Sequence, residues 1–116
     1  MMSGFEDRRL ADGSITKLCM ENANVRVYLR NWREEVEVLV FNDTIGLEAH
    51  GVANASLSHG TETTDDPLLD QSCIVCEDDP KNFRCFSFFS AWTDLPILKI
   101  VARSFEPIKA EEPKGT

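Results

Sequence analysis

A chain of 116 residues, 42% apolar and 28% charged, has the make-up of one soluble folded domain, able to bury about two-thirds of its unfolded surface. No stretch approaches the ~20 consecutive apolar residues of a membrane-spanning helix, and MMSGFEDRRLADGS lacks the apolar run of a signal peptide. The net charge of −8 is unevenly spread: from Glu34 to Pro80 there are twelve acidic residues and no Lys or Arg, a run that repels nucleic-acid backbones.

A cytoplasmic protein is the simplest expectation, and there Cys19, Cys73, Cys76 and Cys85 are expected to stay reduced and read as plain thiols. Strand signals then dominate the chain. After a charged lead-in, residues 1–13, expected to be loose, Ser14 to Glu21 reads as the first strand, turned by Asn22-Ala23-Asn24. Val25 to Arg30 alternates, with Val25, Val27 and Leu29 on one face and Arg26, Tyr28 and Arg30 on the other. Glu35 to Phe41 is the third strand, with Val36, Val38 and Val40 expected inward. A turn at Asn42–Gly46 leads into Leu47 to Ser58, one strand or two broken pieces, in which Gly51 suggests a bulge or a close backbone approach.

The stretch His59 to Asp70 reads as irregular. Within it Asp66 as N-cap and Pro67 at the first helical position specify a single helical turn. Gln71 to Glu77 reads as a strand and Asp78–Asn82 as a turn. Phe83 to Trp92 is apolar on both faces, as befits the middle of a covered sheet. Thr93–Pro96 turns the chain into Ile97 to Phe105, and the tail, residues 109–116, is expected to be a flexible end. The expected fold is all-β: about seven antiparallel strands, mostly meander-connected, in a β-sandwich or a curved, partly closed sheet.

The segment TETTDDPLLDQSCIVCEDDP, residues 61–80, holds the one spacing that suggests metal or redox chemistry, Cys73-x-x-Cys76. In a strand the two side chains point to opposite faces, and Ile-Val makes a poor turn for a zinc knuckle. Asp70, Glu77, Asp78 and Asp79 favour the protonated thiol, which works against a redox role. Asp65-Asp66 with Asp70 lacks the glycine and the final glutamate of a calcium loop. No cofactor or metal is expected.

Catalytic signals are thin. Ser58 precedes His59 without a Gly-x-Ser-x-Gly elbow, and neighbours on a strand face opposite ways. His50 and His59 read as surface or strand-edge histidines. Lys17, Arg26, Arg30 and Arg33, with Tyr28 and Trp32, read as the wet face of a sheet. The carboxylates cluster in turns, where solvation is the simplest role. Twelve acids uninterrupted by a base nevertheless exceed what solubility requires, and suit electrostatic recognition of a basic protein. The candidate contacts are Glu62, Asp65, Asp66, Asp70, Glu77, Asp78 and Asp79.

The stretch from Asp12 to Ala49, DGSITKLCMENANVRVYLRNWREEVEVLVFNDTIGLEA, resembles the opening strands of small bacterial β-rich immunity proteins. Shared with them are an alternating strand, a turn after Trp, and a strand ending in Phe-x-Asp. The resemblance implies a cytosolic, non-enzymatic protein that neutralises a cognate toxin, often a basic nuclease domain, with no shared catalytic residues. Two other roles fit the same sequence: an apolar ligand held between the sheets by Phe83, Phe86, Phe88, Phe89 and Trp92, or an oligomeric component using a sheet edge.

Overall fold

In the computed structural model, Phe5 and residues 10–109 are described. Their eight strands are β1 (Ser14–Glu21), β2 (Asn24–Arg30), β3 (Val36–Asn42), β4 (Gly46–Ala49), β5 (Leu57–Thr63), β6 (Arg84–Ser90), β7 (Pro96–Ala102) and β8 (Ser104–Lys109). One helix, α1 (Pro67–Cys76), and a 3-10 turn, Pro80–Asn82, separate β5 from β6. Every strand pairing is antiparallel. The strands form two four-stranded sheets in the orders β1-β2-β3-β8 and β4-β7-β6-β5. Together they make an open β-sandwich with the helix laid on its outside.

The sheets join at a corner where two neighbouring strands bend together. The chain leaves β3 for β4 while β7 returns to β8, and Asn42 pairs with Ser104 just before Gly46 pairs with Val101. Arg103 sits at the bend, its N–H donating to the Asn42 carbonyl at 3.0 Å. The run Ile97 to Phe105, expected as one strand, is therefore two that change sheet at Arg103, the usual way a sandwich corner is made. Leu47 to Ser58 takes the broken form. Gly51 marks the bend after β4, with φ of +56° and open space around it. The close approaches are at Gly46, under Ser72 of α1, and at Gly60, where a Cβ would collide with Phe5 and Leu10.

Between the sheets lie Val25, Val27, Leu29, Leu39, Phe41, Leu57, Phe86, Phe88, Leu98, Ile100 and Phe105. Phe5 enters this core from the lead-in. Its ring is fully buried, edge-on to Phe86, Phe88 and Phe105 at 5.2–5.3 Å and to Phe41 at 6.1 Å. Edge-to-face pairs of this kind each contribute ~0.5–1.5 kcal/mol beyond area burial. Residues 1–4 and 6–9, and the tail from 110, lie outside the described residues.

The facing of β3 corrects the sequence reading. Val25 pairs with Phe41, Val27 with Leu39 and Leu29 with Glu37, so Glu37, Leu39 and Phe41 point inward, and Val36, Val38 and Val40 take the outer face beside Arg30, Tyr28 and Arg26, where Val38 and Val40 are still buried and Val36 is exposed. Alternation fixes which residues share a face but not which face is buried. Glu37 is tolerated because it sits at the end of the core, accepting a hydrogen bond from Asn31 Nδ2 at 2.8 Å.

Two further corrections fall in residues 59–77. His59 to Thr63, read as irregular, completes β5 at the sheet edge. Of Gln71 to Glu77, read as a strand, Gln71 to Cys76 belongs to α1 and Glu77 is its C-cap. The Asp66-Pro67 signal did open a helix: the Asp66 carboxylate accepts from Leu68 N–H at 2.9 Å. The helix then runs ten residues, because Leu69 and Cys73, one turn apart, pack on the outer face of the second sheet against Cys85, Val101 and Phe83. Tertiary packing overrides the strand propensity of Ile74-Val75.

Candidate functional site

The helix carries two faces of opposite character. Leu69, Ser72 and Cys73 are buried against the sheet, whereas Pro67, Asp70, Gln71, Ile74 and Val75 form an outward stripe at helical spacing. Ile74 is 77% exposed and Val75 74% exposed. Beside them a shallow groove of about 360 Å³ runs between α1 and the 3-10 turn, lined by Asp70, Cys73, Ile74, Glu77, Asp78 and Pro80.

The C-terminus of α1 is closed by a left-handed residue: Glu77 has φ 55° and ψ 43°. Its N–H donates to the Ile74 carbonyl at 3.3 Å and that of Asp78 to Cys73 at 2.9 Å. Asp79 then caps the 3-10 turn, accepting from Lys81 N–H at 2.9 Å. The last turn of α1 holds no basic residue, so Glu77, Asp78 and Asp79 gather at the negative end of the helix.

The seven candidate carboxylates do not form one surface. Glu62 shares the inward face of β5 with its cross-strand neighbour Phe86, and pairs with Arg84 at 3.2 Å. Asp66 is spent on the helix start and on Lys99, whose Nζ lies 3.1 Å from Oδ2. Asp65 stands exposed in the lead-in to α1, its N–H bound to Thr63 Oγ1. Asp70, Glu77 and Asp78 converge on the groove and enter no ion pair among the described residues. Sequence reasoning missed Ile74 and Val75, which it assigned to a buried strand. The discoverable signal was the pairing of an Asp66-Pro67 helix start with Leu69 and Cys73 four residues apart.

The two buried thiols, Cys73 and Cys85, sit in surroundings that disfavour ionisation. Cys73 and Cys85 are buried, Cys76 is exposed and all four cysteines are free. Burial raises the Cys73 pKa above the ordinary thiol value, with Asp78 and Asp70 adding to it. Burial pushes Cys85 up to about 11, aided by the charge of Asp66. Cys73 and Cys76 do diverge, one toward the sheet and one toward solvent, but as members of a helix and not of a strand. Among the described residues no group of three His, Cys, Asp or Glu is placed to hold a metal ion.

Ser58 and His59 do not face apart as strand neighbours should. The irregular pairing between Leu57 and Gly60 brings Ser58 Oγ to 3.0 Å from His59 Nδ1, and the imidazole stacks flat on Phe89 at 4.5 Å. The aromatics weighed as a ligand pocket are dispersed: Phe86 and Phe88 fill the core, Phe83 packs under α1, and Trp92 is 85% exposed.

On the opposite side of the sandwich the outer face of the first sheet carries Lys17, Arg26 and Arg30 in register with Tyr28, the Lys17 ammonium 5.3 Å from the Tyr28 ring centre. Arg33 covers Trp32 in the following turn at 4.6 Å. Lys17, Arg26 and Arg30 thus share the far sheet, while the helix layer gathers Asp70, Glu77, Asp78 and Asp79 alongside the cations Lys81 and Lys99. Among the described residues no helix is long and apolar enough to cross a membrane. No family model, curated protein or solved structure matches the chain.

Proposed function

We propose that this is a non-enzymatic binding protein of the immunity type, acting in the cytoplasm, that occludes a basic toxin domain with the acidic layer formed by α1 and the 3-10 turn. The observation that carries the reading is the state of the carboxylates. Asp70, Glu77, Asp78 and Asp79 lie along α1 and at its C-terminal end, with Asp65 at its start, and none of them enters an ion pair among the described residues, whereas Glu62 and Asp66 each do. Unneutralised like charges raise the local potential, which attracts a basic partner and speeds its encounter.

Four free cysteines accord with a reducing compartment. The test begins with capture of the partner from the native host and measurement of its association rate against ionic strength. Raising salt from about 0.01 M to about 1 M shortens the screening length from about 30 Å to about 3 Å. The on-rate is expected to fall at least about tenfold, and to fall similarly in the Asp70→Lys/Asp78→Lys variant at low salt. An on-rate indifferent to salt removes the electrostatic basis of the proposal.

A further inference from the structure

We propose that the outward face of α1 is the docking seat for a cationic amphipathic segment of the partner, with apolar side chains on Ile74 and Val75 and Lys or Arg head groups at Asp70, Glu77 and Asp78. This rests on the preceding reading that the partner is basic, and adds which residues hold it and what shape of chemistry it presents.

Two adjacent branched aliphatics at 77% and 74% exposure are poor surface residues for a helix: they expose apolar area to water and lower helix propensity relative to straight-chain residues. Ile74 lines the groove with Cys73 and Pro80, and Asp70, Glu77 and Asp78 rim it, while Val75 extends the exposed apolar surface around the helix outside the groove. An apolar patch inside a charged rim is the anatomy of a recognition surface. Lys and Arg match it, because their stems cover apolar surface while the head group reaches the rim.

The helix end points the same way. Glu77 occupies a left-handed position that glycine fills without strain, and its charge lies where the helix dipole is already negative. Asp78 follows it and Lys81 is the nearest cation in sequence, tied by its backbone into the 3-10 turn. A cation delivered from outside relieves both repulsions at once, so charge complementarity selects a cationic occupant over a neutral or acidic one.

The test uses the full chain and two synthetic helical peptides of about five turns. One carries Leu on one face and Lys on the other, and its control has every Leu replaced by Ser at the same charge. At physiological salt the Leu/Lys peptide is expected to bind at least about tenfold more tightly than the control. Its amide shift perturbations are expected to centre on residues 70–82. The Ile74→Ser/Val75→Ser variant is expected to abolish that preference and leave binding of the control unchanged. Its unfolding midpoint is expected to match the parent, because both positions are exposed and Ser and Ile have similar helix propensity. The near-isosteric Val75→Thr provides the same comparison with a smaller loss.

Equal affinity for the two peptides, salt-sensitive and mapped to α1, overturns the apolar seat and leaves the basic-partner reading intact. Perturbations away from α1 with both peptides overturn both.

Discussion

Asp66 has two tasks in this fold, and two substitutions separate them. Its Oδ1 caps α1 through Leu68 N–H at 2.9 Å, and its Oδ2 pairs with Lys99 Nζ at 3.1 Å. Asp66→Asn keeps a good cap and removes the charge, whereas Asp66→Ala removes both. A cap contributes about 1 kcal/mol. The ion pair is mostly withdrawn from water, its side chains 13% and 21% exposed, so it lies between a surface pair and a buried one. Its loss is expected to cost about 1–2 kcal/mol. The Asn variant should then lose about 1–2 kcal/mol and the Ala variant about 2–3, and for a domain of this size each kcal/mol lowers the midpoint by about 4 °C. Urea and thermal unfolding by circular dichroism read this directly, with amide exchange at residues 69–73 reporting the helix itself. Equal losses for Asn and Ala would refute the capping role. An Asn variant as stable as the parent would refute the contribution of the ion pair.

Gly46→Ala is expected to lose about 1–3 kcal/mol by overpacking, because a Cβ there meets Ser72 Oγ, which can rotate away, and also Ser72 Cβ at 3.1 Å and Val101 Cβ at 3.3 Å, which cannot. An unchanged midpoint would show that α1 does not rest on β4. Phe5→Ala, removing a fully buried ring among four other phenylalanines, is expected to cost about 3–5 kcal/mol in urea unfolding. Cys85 keeps its proton to about pH 11 when folded, against 9.0 as the ordinary value. The unfolded chain therefore ionises first: the contribution is intact below pH 9, and stability declines between pH 9 and about 11, a slope that Cys85→Ala is expected to lessen. Glu77→Gly, relieving a left-handed glutamate at the negative helix end, is expected to raise the free protein's midpoint by about 4 °C, and a drop would contradict the strain argued for that position.

The all-β architecture was legible because alternation and turn chemistry are local. β1 and β2 needed nothing from the rest of the chain, and Asn22-Ala23 closes their hairpin with Asn22 at φ 56°. What was not legible depended on distant partners. β3 is apolar on both faces, so only pairing with β2 and β8 reveals that Phe41 and Leu39 face the core while Val38 and Val40 lie under the long side chains outside. The helix was misread for a related reason. Ile74-Val75 carries strand propensity, but the outer face of the second sheet, with Cys85, Val101 and Phe83, requires a cover that Leu69 and Cys73 supply only from a helix. The site followed the error: a buried strand with acidic flanks becomes an exposed helical stripe with an acidic end.

The distribution of charge around α1 bears on why these acids are present at all. An acid at a helix start contributes to stability, and Asp66 is used that way. Acids gathered for solubility alone suit positions where they cost nothing, such as that helix start or the open loops. Glu77, Asp78 and Asp79 instead crowd the end of the helix where its carbonyls leave negative partial charge, with no basic residue in the last turn. Each unfavourable placement there costs about 0.3–1 kcal/mol in the free protein. That cost is returned when a cation arrives, so the same arrangement that weakens the isolated helix strengthens a complex with a basic partner. A solubility role predicts that moving these charges elsewhere on the surface leaves binding unchanged. A recognition role predicts a trade: variants that stabilise the free helix end weaken the complex, and the two effects track one another across Glu77 and Asp78.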